Sequence, residues 1–376
     1  MNAMFCGSFD PITLGHISVI NQALSHKYGD DVTLDKLIIC VSQNNQKKSL
    51  FSAETRKEMI EDAFKNHPLK HKIEVAINKG LTVDFAKKHN VTTLIRGIRQ
   101  NSNDLKQEKI MAKTNQNLAS IRGFNLETIF ITITDDNLAS ISSTLVKDLC
   151  ILGEYIAVSN LVPENVHNEL MCIFLEPRFT KLFFDSSQST AYMNWRELTQ
   201  AYKIRPYHNM SHLGYMFNML DIYQTQTKTS SSAEFEISIF GHDYVYDATR
   251  NDNEARSIKS VISWIGKRYY KSSQYLEELI MATTHNNETL TDDKALIADL
   301  DLSILGTFNP KTWKTYCQNI RREYSHLSDS EFAKGRLEFF QKILKRKRIF
   351  QTDFFYDLFE KQACKNIKEE IRNINV

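Results

Sequence analysis

The stretch from Cys6 to His16, CGSFDPITLGH, constrains this chain more than any other. Ala3, Met4 and Phe5 form an apolar run that stops at Gly7 and at the turn-forming Asp10-Pro11, and a second apolar run follows over residues 17–23 at helical spacing. The pattern predicts a strand, a tight turn and a helix. A helix that starts this way presents free backbone N–H groups and the positive end of its dipole, which suits a phosphate. His16 falls in the first turn, where it can hydrogen-bond an oxygen that is gaining charge. An ordinary strand-to-helix turn with a capping Ser or Asp and a surface His fits the same residues.

The following segments repeat the alternation. Residues 36–42, 72–77, 92–95 and 126–133 read as strands, and residues 51–64, 83–89 and 104–118 as helices, with Ser52 as a cap. This predicts an α/β domain with a doubly wound parallel sheet, Rossmann-like, in which ligands bind beyond the carboxyl ends of the strands. Polar residues collect there: Lys47 and Lys48 after the second strand, Arg96, Gly97, Ile98 and Arg99 after the fourth, and Ser140 to Thr144 after the fifth. Basic and hydroxyl groups at three strand ends describe a site for a polyanion such as a nucleoside triphosphate.

At 376 residues the chain exceeds what one core organises, so two domains are expected, with the boundary near residue 175. A balance of 47 basic and 45 acidic residues argues against a dedicated nucleic-acid binder. No apolar run approaches the roughly 20 residues of a membrane span, and the N-terminus lacks a signal-peptide layout. The six scattered cysteines read as thiols in a reducing, cytoplasmic setting.

GSFDPITLGH carries a Thr-x-Gly-His tail and resembles the nucleotidyltransferase signature. Together with QKKSLFSAETR, GLTVDFA, LIRGIR, the Asp104, Glu108 and Asn115 run, ISSTLVK and VPENVHNELM, in that order, it resembles bacterial phosphopantetheine adenylyltransferase over residues 1–172. The resemblance implies transfer of the adenylyl group of ATP to 4′-phosphopantetheine, giving dephospho-coenzyme A and pyrophosphate. It implies that Ser8 and His16 contact the reacting phosphates, and that Lys47 and Arg96 hold the acceptor phosphate. Thr82 and Asn115 then serve the acceptor, while Phe9, Gly97 to Arg99, Glu108, Leu138 and Ser142 to Thr144 serve ATP. His16 would stabilise the pentacoordinate α-phosphate with help from Lys47 and a magnesium ion, since in-line phosphoryl chemistry needs positioning and charge neutralisation more than a protein nucleophile. Leu138 stands where the family commonly has an aromatic residue, which predicts weaker adenine stacking. The family commonly forms hexamers, so a homo-oligomer is expected. Within the same fold, the runner-up is an enzyme acting on nicotinamide mononucleotide or a cytidylyl acceptor.

Past residue 175 the pattern turns helical and aromatic, with Phe183, Phe184, Tyr192, Trp195, Tyr202 and Tyr207 in close succession. This predicts an all-α domain over residues 176–376. Its chemistry lies in histidines and carboxylates: His208 and His212 at i and i+4, read as one helix face, then His242-Asp243, His285, and Asp299 with Asp301. Such groups in apolar helical contexts are costly unless something binds them. Neutral imidazole with carboxylate suits zinc, manganese, iron or nickel. The constellation resembles the HD-type metal-dependent phosphohydrolases. That resemblance implies His212, His242, Asp243 and Asp301 as metal ligands, and HNMSH also resembles the H-N-x-x-H signature of cyclic nucleotide phosphodiesterases, which implies His208 as proton donor; His285 is a candidate for a second metal and residues 252–254 for the pocket lining. A module that binds a nucleotide and regulates the first half is the alternative. The basic residues between 342 and 348 read as a solvated helix face.

Overall fold

The computed structural model describes the chain except residues 27–32, 44–47, 99–101, 134, 184–187, 266–271, 287–288 and 375–376. It forms two compact units, Met1–His167 and Asn168–Val376. Among the described residues no helix is long and apolar enough to cross a membrane.

The first unit is built on five parallel strands: β1 (Asn2–Gly7), β2 (Lys36–Ser42), β3 (Ile73–Asn78), β4 (Thr93–Ile98) and β5 (Glu127–Thr132). Their order is β3-β2-β1-β4-β5, so the direction of winding reverses between β1 and β4. The registers align Cys6 with Cys40 and Ile98 with Thr132. β2 is apolar over five consecutive residues, all buried, because helices cover both faces of a parallel sheet. Ile39→Ala in that run would cost about 2–5 kcal/mol. Its helices are α1 (Leu14–Ser25), α2 (Ala53–Ala63), α3 (Thr82–Lys88), α4 (Ser102–Ile121), α5 (Asp136–Ala139), α6 (Ser143–Ile151) and α7 (Tyr155–Ser159), and α8 (Glu164–Phe174) begins in this unit and continues into the second. Ser52 caps α2 as expected, accepting from the Thr55 N–H.

The reading of residues 92–95 as a strand with Arg96 in the loop beyond needs correction. β4 runs on to Ile98 because Arg96, Gly97 and Ile98 all pair with β5. Gly97 is required there: a Cβ would come within 2.7 Å of Val19, so its absence lets α1 lie directly on β4.

The second unit holds α9 (Glu176–Leu182), α10 (Gln188–Lys203), α11 (Met210–Thr227), α12 (Ala233–Gly241), α13 (Asn253–Ile265), α14 (Ser273–Ala282), α15 (Asp292–Leu302), α16 (Pro310–Glu323), α17 (Asp329–Lys345) and α18 (Asp353–Ile374). Its aromatic core centres on Phe179, with Trp195 at 5.2 Å and Phe240 at 5.1 Å between ring centroids. The first pair is tilted and the second edge-on, and such contacts add to the area each ring buries. Of the aromatic run read from the sequence, Phe183, Trp195 and Tyr202 are buried, Tyr192 is exposed, and the side chain of Phe184 lies outside the described residues. Tyr202 donates its hydroxyl to the Phe240 carbonyl at 3.0 Å, so even this buried polar atom is partnered.

Candidate functional site

In the first unit, the residues that matter stand where β1 and β4 end, at the reversal of winding where such sheets open a crevice. A cavity of about 160 Å³ there brings together Ser8, Thr82, Arg96 and Asn115, with Cys6, Gly7 and Ser42. Arg96 donates from Nε and Nη2 to the two oxygens of Glu108, both at 2.6 Å, and from Nη1 to the Cys6 carbonyl at 2.9 Å. Burial works to lower the guanidinium pKa, and the Glu108 pair outweighs it, leaving a net rise. Arg96 therefore stays protonated within β4, its charge paired with Glu108.

The turn read as phosphate-suited is organised by Thr13, not by the Ser or Asp expected of an ordinary cap. Thr13 is the N-cap of α1, and its N–H donates to His16 Nδ1 at 3.0 Å while His16 N–H donates to the Thr13 hydroxyl at 3.4 Å. With Nδ1 accepting, the neutral ring carries its proton on Nε2. Gly15 is needed for the close approach behind it, since a Cβ would lie 2.8 Å from the Leu138 carbonyl. Phe9 has φ of +46° and is buried, its ring 5.2 Å from that of His16, so it serves the site by packing the imidazole. Ser142 caps α6, accepting from the Leu145 N–H, and Ser143 donates to the Pro11 carbonyl at 2.8 Å, tying this loop to the turn. Thr144 is exposed, and Lys47 and Arg99 lie outside the described residues.

Sequence reasoning missed Arg56 and Asp10. Arg56 is almost fully buried and donates to the carbonyls of Ser8 and Ser42, joining the ends of β1 and β2. Asp10 accepts from the Leu50 and Phe51 N–H groups at 2.9 and 3.0 Å and from Lys147 at 3.2 Å. Arg56 closes the quoted QKKSLFSAETR motif, which was the available signal; Asp10 looked like a turn residue only.

The second unit gathers its histidines and carboxylates into one cluster. His212 and His242 face each other with Nε2 atoms 3.3 Å apart. Asp243 Oδ2 lies 3.1 Å from His242 Nε2, and Asp301 Oδ1 lies 3.2 Å from His212 Nε2 and 3.8 Å from His242 Nε2. Ligand atoms of His212, His242 and Asp243 all fall within 4.8 Å of one another, and all three residues are buried. The His242 Nδ1–H donates to the Ile239 carbonyl at 2.8 Å, which turns its Nε2 to the cluster, as second-shell partners of metal-binding histidines do. Two imidazole nitrogens and two carboxylates converging in a buried place fit a divalent transition metal.

Burial works against the charged form of every member. Asp243 charge and hydrogen bonding outweigh it at His242, raised to about 9, while His212 stays lowered by desolvation. For Asp301, hydrogen bonds from His212 and His285 overcome burial and hold the carboxyl well below its usual range.

Several local expectations need correction. His208 and His212 do not share a helix face: Asn209 is the N-cap of α11, accepting from the Ser211 and His212 N–H groups, so His208 precedes the helix. An Asn at that position competes for the backbone and stops the helix there. His208 still reaches the cluster, because Glu323 holds its Nδ1 at 2.6 Å and leaves Nε2 facing Asp243 at 3.9 Å. His285 follows the end of α14 at φ +54°, outside a helix; its Nε2 hydrogen-bonds Asp301 Oδ2 at 2.7 Å, and Arg346 donates to its carbonyl. It thus holds Asp301 from behind. Asp299 points away, accepting from the Gln351 and Thr352 N–H groups at 2.8 and 2.7 Å. Of residues 252–254 only Glu254 lines the cavity beside the cluster; Asp252 pairs with Arg250.

The sheet order, the site at the winding reversal and a match of residues 4–149 to the family described as Cytidylyltransferase-like place the first unit in the nucleotidyltransferase class. Phosphopantetheine adenylyltransferase of Crocosphaera subtropica is 39% identical over 170 residues, spanning 45% of this chain and 97% of that one. The enzyme of the same name from Flavobacterium johnsoniae is 39% identical over 165 residues, 44% of this chain and 95% of that one, and the one from Thermotoga neapolitana is 36% identical over 153 residues, 41% and 85%. Through its N-terminal unit the chain belongs to the phosphopantetheine adenylyltransferase family. A solved structure, Plasmodium falciparum nicotinic acid mononucleotide adenylyltransferase complexed with NaAD, aligns with 14% identity and a TM-score of 0.34, covering 46% of this chain and 95% of that one.

Proposed function

We propose that the first unit transfers the adenylyl group of ATP, taken as its magnesium complex, to 4′-phosphopantetheine, forming dephospho-coenzyme A and pyrophosphate. Family membership carries this reading, and the chemistry of the strand ends agrees with it. His16, its Nδ1 occupied by Thr13, offers an Nε2–H donor to the α-phosphate as charge builds on its oxygens. Arg96 borders the same cavity as Thr82 and Asn115, and it would meet the acceptor phosphate by exchanging part of its pair with Glu108. No protein nucleophile is required, because the acceptor phosphate already carries the attacking oxygen. Purified protein given MgATP and 4′-phosphopantetheine is expected to release pyrophosphate with formation of dephospho-coenzyme A; absence of both products overturns the reading.

We infer that the second unit is an HD-type metal-dependent phosphohydrolase. The convergence of His212, His242 and Asp243, with Asp301 beside them, supports it. A bound divalent cation such as manganese, iron, nickel or zinc would acidify a water and polarise the phosphoryl oxygen. His208, oriented by Glu323, is placed to protonate a leaving oxygen. His285 and Arg346 keep Asp301 in position. Elemental analysis of the full chain is expected to find one of these metals, and phosphate release from phosphomonoesters is expected to follow its content. Protein without metal after reconstitution would sink the assignment.

A further inference from the structure

Asp10 has no part in the chemistry proposed for the first unit, yet it is buried and engaged through both oxygens. Oδ1 accepts from the Phe51 N–H at 3.0 Å, and Oδ2 accepts from the Leu50 N–H at 2.9 Å and from Lys147 Nζ at 3.2 Å. Hydrogen bonds to an ionised carboxylate are stronger than neutral ones, and a carboxylate out of water requires them. An Asp that only shapes a turn bonds its own backbone two residues on. The partners of Asp10 all lie far along the chain.

Those partners come from two helices. Leu50 and Phe51 stand just ahead of Ser52, the N-cap of α2. Lys147 lies on α6 one helical turn after Ser143, which donates to the Pro11 carbonyl at 2.8 Å, so both residues face the turn. Asp10 therefore ties the start of α2 and the body of α6 to the turn between Ser8 and His16. Phe9, the residue before it, packs on the imidazole, and Thr13, three residues after it, caps α1 and holds His16 Nδ1. Arg56 serves a different stretch, the carbonyls of Ser8 and Ser42 at the strand ends. When Asp10 is lost, Ser143, Arg56 and Thr13 keep their own bonds to the turn, so the fold stands while the alignment loosens.

We propose that Asp10 is a positioning residue for adenylyl transfer, holding the turn that carries Ser8 and His16 in fixed relation to α2 and α6. It acts through those neighbours and does not touch substrate. This role rests on the adenylyltransferase reading and adds a residue on which the reaction depends. In-line transfer is sensitive to alignment, and a misplacement of about 1 Å costs about 100-fold in rate.

The test measures adenylyl transfer from MgATP to 4′-phosphopantetheine by the full-length protein and by Asp10→Asn and Lys147→Met, with the folded fraction taken from circular dichroism. Asp10→Asn keeps the shape, loses the charge and turns one accepting oxygen into a donor. Per folded molecule, its kcat is expected to fall about 100-fold, with both KM values changed by less than about threefold. Lys147→Met leaves the Leu50 and Phe51 bonds in place and is expected to lose about tenfold in kcat, the value of one hydrogen bond to a charged group. Added to Asp10→Asn it should cost less than about threefold more, because the two side chains act through one contact. An Asp10→Asn protein that is less stable to denaturant but keeps its kcat per folded molecule would make the residue structural only and overturn the proposal. A loss confined to KM, or two losses that multiply, also overturns it. If Asp10→Asn does not fold, Lys147→Met decides: a lower kcat at constant KM upholds the role, and an unchanged kcat removes it. If the unaltered protein forms no dephospho-coenzyme A, the adenylyltransferase reading falls and takes this role with it. An active unaltered protein beside an equally active Asp10→Asn removes the role alone.

Discussion

The two units place charge in opposite ways. In the first, functional groups near the strand ends are held largely by main-chain partners: Arg56 on the Ser8 and Ser42 carbonyls, His16 on the Thr13 N–H, and Arg96 on the Cys6 carbonyl besides its pair with Glu108. In the second, the groups of the cluster hold each other, His212 to His242, Asp301 to both, and Asp243 to His242. A site fixed by backbone tolerates a change in one side chain because its neighbours keep their own anchors. A site whose buried charges neutralise one another loses its balance when one is removed, and it has a reason to hold a cation.

The sharpest way to break this contrast is the pair His242→Ala with Asp243→Ala. Bound metal is expected to fall to background and phosphatase activity by at least about 1,000-fold, on the scale of losing a metal-activated water, while adenylyl transfer stays as before. Loss of both activities would show that the units are not separable in function. Next in size is His16→Ala, for which adenylyl transfer should drop about 100- to 1,000-fold in kcat, the usual loss for a donor to developing charge. Metal content should not change. If kcat holds and only KM rises, His16 binds ground-state phosphate and the proposed role is wrong.

A pH experiment sharpens the point about backbone anchoring. His167, fully buried at the end of the first unit, is pushed down to about 4 by desolvation, against a hydrogen bond to the Tyr155 carbonyl at 2.9 Å. Its folded pKa is below the unfolded value, so the unfolded chain binds more protons between the two. The stability is therefore complete above about pH 6.5 and is lost as pH falls towards 4, by about 3 kcal/mol. His167→Gln should flatten this part of the denaturant-unfolding profile; an unchanged slope would mean the ring is not buried neutral. The smallest effect is expected for Arg56→Met, which leaves two strand-end carbonyls without their donor. It should cost about 2 kcal/mol in unfolding free energy and raise KM more than it lowers kcat.

The first unit was largely legible because its signal is local. A run such as residues 36–42 can be little other than a buried parallel strand, and the glycines and hydroxyls beside each strand mark the ends. What escaped was set by pairing: β4 passes Arg96 because β5 offers it partners as far as Ile98. In the second unit, His242-Asp243 stands out in the sequence, yet Glu323 and Arg336 do not. Glu323 reaches His208 from α16 and Arg336 reaches the cavity from α17, and only tertiary packing selects those two among many charged helix residues. The misreading of His208 has the opposite origin, an Asn at position 209 that forms a cap where periodicity alone continues the helix.

One helix deserves a last consequence. Just ahead of α18, Thr352 donates to Asp299, two residues before Asp301 on α15; near the other end, Glu370 holds Arg336. Between them Asn366 clasps the carbonyls of Leu305 and Thr307. An α-helix does not stretch, since each residue adds a fixed 1.5 Å. Asp299, two residues before Asp301, and Arg336 are thus pinned to one rod, which sets the separation of α15 and α17 where the two helices meet the cavity.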